Sequence, residues 1–186
     1  MYEYIGLSGW ARSGKDTVGE ILEAHYGYHK MAYADVLRDF LVAQNPWVRS
    51  DDSRHTVKLS TIIDEHGWQG YKNSPFAGDL RTLIQRTGTE AGRGVISPTV
   101  WIDATLRRAA EWERVVITDV RFPNEADAIR NAKNSTALWW ISRPGIEPAN
   151  DHASENSLNE YEFDSNLYND SDIETLSLQL KQFLVD

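Results

Sequence analysis

The segment from Leu7 to Leu22, LSGWARSGKDTVGEIL, narrows the fold more than any other part of this chain. An apolar run, YEYIGLSG, leads into it; Gly9 and Gly14 bracket four residues, and Lys15 follows. Val18, Ile21 and Leu22 then recur at helical spacing, and Gly27 marks the stop. A short buried strand, a glycine turn and a helix in that order open an α/β fold with a parallel sheet, because parallel strands need a crossover between them.

The rest of the chain repeats the alternation. YHKMAYA reads as a second strand, followed by a helix over roughly Asp35 to Ala43. Helical patterns return in DLRTLIQRTGTEAGR and in SPTVWIDATLRRAAEWE, the latter with Ser97 as cap and Pro98 at the first helical position. RVVITDV is a strand, Pro123 opens the helix PNEADAIRNA, and STALWWIS is another strand. SNLYND reads as a last short strand, and DIETLSLQLKQFL as a closing helix with leucines along one face. Residues 45–78 are polar and interrupted by Pro46, Pro75 and glycines, with only Leu59, Ile62 and Ile63 hinting at a helix; they read as an insert over the surface. Residues 143–163 read as irregular and polar. The expected architecture is a three-layer α/β/α sandwich around a mostly parallel sheet, as one domain over residues 1–186.

Composition bounds the function. No apolar run approaches the ~20 residues of a membrane span, and the amino terminus has no signal-peptide pattern. The chain has no cysteine, which excludes disulfides and thiolate metal sites and agrees with a cytoplasmic location. A net charge of -9 argues against a broad electrostatic grip on nucleic acid. Any phosphate is then held by a few basic residues gathered in one cleft.

Gly9-x4-Gly14-Lys15 matches the P-loop pattern as far as its lysine, in the strand-then-helix context that pattern requires. Glycines let the backbone curl its N–H groups inward onto a phosphate, and the helix amino terminus adds positive potential. Lys15 would reach the β- and γ-phosphates; the alternative is a plain glycine turn with a surface lysine. Asp16 stands where the pattern has Ser or Thr. In the first helical turn a carboxylate is favourable by about 0.3–1 kcal/mol, yet beside phosphates it repels unless a divalent cation intervenes. Asp16 is therefore expected to help hold Mg²⁺, directly or through water, with Thr17 on a nucleotide phosphate; the alternative is a simple helix-start charge.

Asp119 follows the apolar run VVIT at the carboxyl end of a strand, where ligands of open α/β sheets bind. It suits a second anchor for Mg²⁺, or else a cap for the helix opening at Pro123. Arg121 is either a phosphate clamp or half of a surface ion pair. Asp35 and Arg38 follow the second strand at the same sheet edge. Arg86, Glu90 and Arg93 share a face if their helix continues through Gly88, as a binding face or as a solvated ion-pair ladder. Trp101, inside a capped helix, either packs in the core or stacks on a base. None of the histidines has neighbours suggesting a metal site or a nucleophile's base. A nucleotide phosphate is already an anionic nucleophile, so transfer to it needs alignment and charge neutralisation and no general base.

Taken in order, SGWARSGKDTV, YADVLRD, TGTEAGR with Trp101 downstream, TDVRFPNEADAIR, SRPG followed by DHASE, and NDSDIETL resemble the bacteriophage-type deoxynucleoside monophosphate kinases, a branch of the P-loop nucleoside monophosphate kinases. The pieces run from about Leu7 to Leu176, and GKDT is itself typical of the group. The resemblance implies a nucleoside monophosphate kinase-like fold, Mg-ATP as donor and a deoxynucleoside monophosphate as acceptor, giving ADP and the diphosphate. By that resemblance Gly9, Arg12, Ser13, Gly14, Lys15, Asp16, Thr17, Asn169 and Asp170 would contact ATP, the last pair of asparagine and aspartate lying near its adenine. Asp35, Arg38, Arg81, Arg86, Gly88, Thr89, Arg93, Trp101, Asp119 and Arg121 would line the acceptor site. Lys15, Asp119, Arg121 and Arg143 would serve catalysis, and Asp16 and Asp119 the metal. Arg143 and the segment His152 to Glu155 resemble the family's lid, within about 143–163, and 45–78 would be an acceptor-binding insert. Ala11 precedes Arg12 where some relatives carry a basic pair.

The partners implied are small-molecule nucleotides, with no nucleic acid and no membrane; a homodimer stays open, and the location expected is cytoplasmic, in the host cell if the source is viral. Two other functions remain in view at this point. One keeps the fold with another small phosphorylated metabolite as acceptor. The other is a nucleotide-binding regulator without transfer, against which the arginines near the cleft argue.

Overall fold

A computed structural model describes residues 1–147 and 157–184. In chain order its strands are β1 (Tyr4–Ser8), β2 (His29–Met31), β3 (Trp47–Arg49), β4 (Thr56–Lys58), β5 (Val115–Ile117), β6 (Thr136–Ser142) and β7 (Ser165–Tyr168). The α-helices are α1 (Lys15–Tyr26), α2 (Tyr33–Gln44), α3 (Leu59–Gly70), α4 (Ala77–Gln85), α5 (Val100–Ala109), α6 (Pro123–Arg130) and α7 (Ile173–Leu184), with a π-helix over Arg86–Ile96. The chain divides into two compact units, residues 1–33 with 105–186 and residues 34–104.

The first unit is built on a sheet of order β2-β5-β1-β6-β7 in which every neighbouring pair is parallel. β1 is central: Ile5 lies opposite Val116 on one side and Ala137 on the other, and all five of its residues are buried. That accounts for its continuous apolar run, since a parallel strand is covered on both faces. On one face Ile5 and Leu7 pack with Val18, Ile21 and Leu22 of α1 and with Leu176, Leu180 and Leu184 of α7. On the other, Gly6 leaves space that Leu138 and Ile129 of α6 fill. The expected α/β/α sandwich is therefore the observed one. Because the strands are parallel, the ends of β1, β5, β6 and β7 lead into residues 9–14, Asp119, Arg143 and Asn169 along one edge of the sheet.

The second unit has its own core of Leu41, Val48, Leu59, Ile62, Tyr71 and Leu80. Residues 45–78, expected as a largely irregular insert, contain the antiparallel hairpin β3–β4 as well as α3. Each hairpin strand is only three residues long, too short to register as an alternating pattern. The helix expected over residues 79–93 changes character at Arg86, where α4 gives way to the π-helix. The Ser97 hydroxyl accepts the Thr99 N–H at 3.2 Å, but Pro98 and Thr99 form a turn and α5 opens at Val100, two residues past the expected start at Pro98.

Candidate active site

The turn between β1 and α1 is curled by two left-handed glycines, Gly9 at φ 136° and Gly14 at φ 105°. A methyl at Gly9 would strike the Ile141 carbonyl, and one at Gly14 the Asn169 amide. Arg12 also adopts positive φ, 68°, with its side chain exposed; such a conformation costs roughly 1–3 kcal/mol and persists only where neighbours impose it. Lys15 bends back over the turn, its ammonium donating to the carbonyls of Gly9 (2.7 Å) and Trp10 (2.8 Å). Ser13 is buried, and its carbonyl accepts from the Asn169 carboxamide at 2.9 Å. The backbone thus forms a concave cradle at a helix amino terminus, with a cation folded across it, a geometry suited to anions.

Asp16 is exposed in the first turn of α1 and lies 3.4 Å from the hydroxyl of Thr118, a long contact that ties it to the end of β5. The next residue, Asp119, accepts the N–H of Tyr33 at 2.7 Å. Asp119 therefore caps the start of α2, whereas the helix opening at Pro123 is capped otherwise. There the buried carboxylate of Glu125 accepts the N–H groups of Arg121 (2.8 Å) and Phe122 (3.2 Å). Tyr33, whose hydroxyl donates to the Glu125 carbonyl at 2.9 Å, has its phenol held well above the ordinary tyrosine range by burial first, then by the carboxylates of Glu125 and Asp119. Glu125 was not among the expected site residues, though a glutamate three positions after a helix cap is a recognisable start signal.

A cavity of about 550 Å³ in the same unit is lined by Thr17, Arg143, Asn169, Ser171, Asp172, Ile173, Glu174 and Leu176. Three expected residues, Thr17, Arg143 and Asn169, therefore line one cavity, and Ile173, also in its lining, is an exposed apolar side chain. Asp170 is exposed and accepts the Ser171 hydroxyl at 2.8 Å. His152 to Glu155 lie outside the described residues.

In the second unit Arg38 pairs with Asp35 at 2.9 Å, and its guanidinium sits 5.7 Å from the Trp68 ring centre. Trp68 belongs to the segment for which the sequence offered no contact residues. Arg81 and Thr89 are exposed and Arg93 half-buried. Arg86 pairs with Glu90 at 3.5 Å and borders a separate cavity of about 590 Å³ with Trp47. Gly88 and Gly92 are buried against Leu37 and Trp101 respectively. Trp101 is 8% exposed; its indole N–H donates to the Gly88 carbonyl at 2.8 Å and its ring meets Phe40 edge-on. Its place in this fold is thus in packing that braces the π-helix.

Residues 71–180 match the family profile described as deoxynucleotide monophosphate kinase. The chain belongs to that family. A protein of Acanthamoeba polyphaga mimivirus, described as a putative deoxynucleotide monophosphate kinase, is 28% identical over 190 residues, 95% of this chain and 93% of that one. Two solved structures share the fold: TT1252 from Thermus thermophilus, with TM-score 0.51 and 16% identity over 98% of this chain and 96% of that one, and shikimate kinase from Aquifex aeolicus vf5, with TM-score 0.50 and 12% identity over 97% and 95%. As a deoxynucleotide monophosphate kinase family member the chain is a nucleotide kinase, an ATP-dependent phosphotransferase with small nucleotides as substrates. No helix among the described residues is long and apolar enough to cross a membrane.

Proposed function

We propose that this kinase transfers the γ-phosphoryl group of Mg-ATP to a deoxynucleoside monophosphate, releasing ADP and the deoxynucleoside diphosphate. An acceptor phosphate oxygen bonds to the γ-phosphorus as the bond to the β–γ bridging oxygen breaks, and the electron pair leaves with ADP. The observation that carries this reading is the cradle of residues 9–14 with the Lys15 ammonium bent across it at the start of α1. Gly9, Arg12, Ser13, Gly14, Lys15 and Thr17 surround the donor's phosphates in this reading, and the cavity of Thr17, Arg143 and Asn169 takes its nucleoside, with Asp170 beside it.

The donor set also fits Mg²⁺, which takes one or two carboxylates together with phosphate oxygens and needs no cage of protein ligands. Asp16 is an exposed carboxylate on the first turn behind the cradle, and Asp119 stands one residue beyond the Thr118 that touches it. Bound there, Mg²⁺ neutralises phosphate charge, and Asp16 ceases to repel the nucleotide. Lys15, Arg121 and Arg143 offset the negative charge of the transferred group in this reading. Asp35, Arg38, Arg81, Arg86, Gly88, Thr89, Arg93 and Trp101 belong to the acceptor side in this reading, Arg38 being held between Asp35 and Trp68.

The test is a coupled ADP-release assay across deoxynucleoside and ribonucleoside monophosphates, with shikimate and sugar phosphates as control acceptors. ADP release stimulated by a deoxynucleoside monophosphate is expected. Stimulation by a control acceptor alone would assign another small-molecule kinase, and ATP binding without any stimulated turnover would assign a regulator.

A further inference from the structure

Asn169 was expected near the adenine of ATP, but its side chain is spent on the phosphate loop. The carboxamide donates to the Ser13 carbonyl at 2.9 Å, while its backbone N–H donates to the Ser142 carbonyl at the end of β6 at 2.8 Å. The carboxamide is thereby anchored to the sheet at one end and grips the loop at the other. The buried Ser13 hydroxyl has no hydrogen-bond partner among the described residues, so it adds nothing there to that grip.

A peptide unit is planar and trans, so its C=O and N–H point in opposite directions. Holding the Ser13 carbonyl outward on Asn169 therefore fixes the direction of the Gly14 N–H, the other end of the same peptide unit. Gly14 carries no side chain that would prevent this approach, because any Cβ there would run into the Asn169 amide. We propose that Asn169 is a positioning residue, whose carboxamide aims the Gly14 N–H into the cradle and so sets phosphate affinity, rather than a reader of the donor's base. This rests on the reading that the loop holds the donor's phosphates.

The experiment compares the wild-type chain with Asn169→Asp, which keeps shape but turns a donor into an acceptor facing a carbonyl, and with Asn169→Ala. Affinities for magnesium tripolyphosphate (which has no base) and for Mg-ATP are measured by calorimetry, kcat and KM with ATP and GTP by coupled assay, and folding by circular dichroism melts. Both variants are expected to bind tripolyphosphate and ATP about tenfold more weakly, the effect of losing one well-placed hydrogen bond, with the ATP-to-GTP preference unchanged. If the alanine variant fails to fold, the aspartate variant carries the comparison. Unchanged tripolyphosphate affinity overturns the proposal: together with a collapsed ATP-to-GTP preference it makes Asn169 a base reader, and with only a lowered melting temperature it makes the contact structural. A wild-type chain that binds neither probe overturns the phosphate-loop reading itself.

Discussion

Two glycine-rich stretches, SGWARSGKD and RTGTEAGRG, use glycine for opposite ends. In the first, Gly9 and Gly14 take positive φ and turn the backbone's own N–H groups into the binding surface. In the second, Gly88 and Gly92 stay inside a helix, and what they supply is absence. A Cβ on Gly92 would stand 2.6 Å from the Trp101 ring, and one on Gly88 2.8 Å from Leu37. The first stretch is built to touch a ligand through its main chain, the second to let neighbouring side chains come close and hold the helix in its wide π form. Thr89 and Arg93 lie on this same π-helical stretch.

That contrast breaks if the second stretch proves to bind directly. Trp101→Ala should show the largest effect, a loss of about 3–5 kcal/mol of stability from an emptied aromatic site, read as a lowered melting temperature. A variant that melts like the parent yet binds the deoxynucleoside monophosphate weakly would give the indole a direct contact with the acceptor rather than a packing role beside it. Lys15→Ala should do the reverse, cutting kcat about a hundredfold or more with an unchanged melt; retention of more than about a tenth of turnover would remove the lysine from the mechanism. Gly92→Ala should cost about 1–3 kcal/mol as the ring is pushed aside, and its melting temperature should fall further than its kcat. The smallest effect is expected for Trp68→Ala. Loss of the cation–π contact, worth roughly 0.5–1 kcal/mol, should raise the acceptor KM two- to fivefold, leaving the ATP KM alone.

How much of this was legible in the sequence follows from which forces are local. β1, the curled turn and α1 could be read because buried strands, left-handed glycines and helix periodicity each leave their mark within a few residues. The leucines of α7 were legible for the same reason. The hairpin β3–β4 was not, because three-residue strands owe their existence to partners such as Val57 opposite Val48. The π-helix was missed because α and π spacing both allow Arg86 to meet Glu90; what distinguishes them is Trp101 lying against Gly92, a tertiary fact. In the site, Asp119 was located at the correct strand end, but its hydrogen bond goes to Tyr33, 86 residues away in sequence. Asn169 was singled out only through resemblance, and its partner is 156 residues distant. No local pattern could have named either bond.

The sheet order carries a consequence for how the chain is made. β1 occupies residues 4–8, but both of its neighbours come from residues beyond 114. During synthesis at about 5–20 residues per second, the central strand waits roughly ten seconds with both edges unpaired before β5 and then β6 leave the ribosome. Until then a strand whose five residues are all buried in the finished fold is without shelter, and folding of this unit is dominated by closures of very long loops. A nascent chain stalled before Val115 is therefore expected to recruit chaperones, and one released after Leu184, with α7 laid over Ile5 and Leu7, far less so.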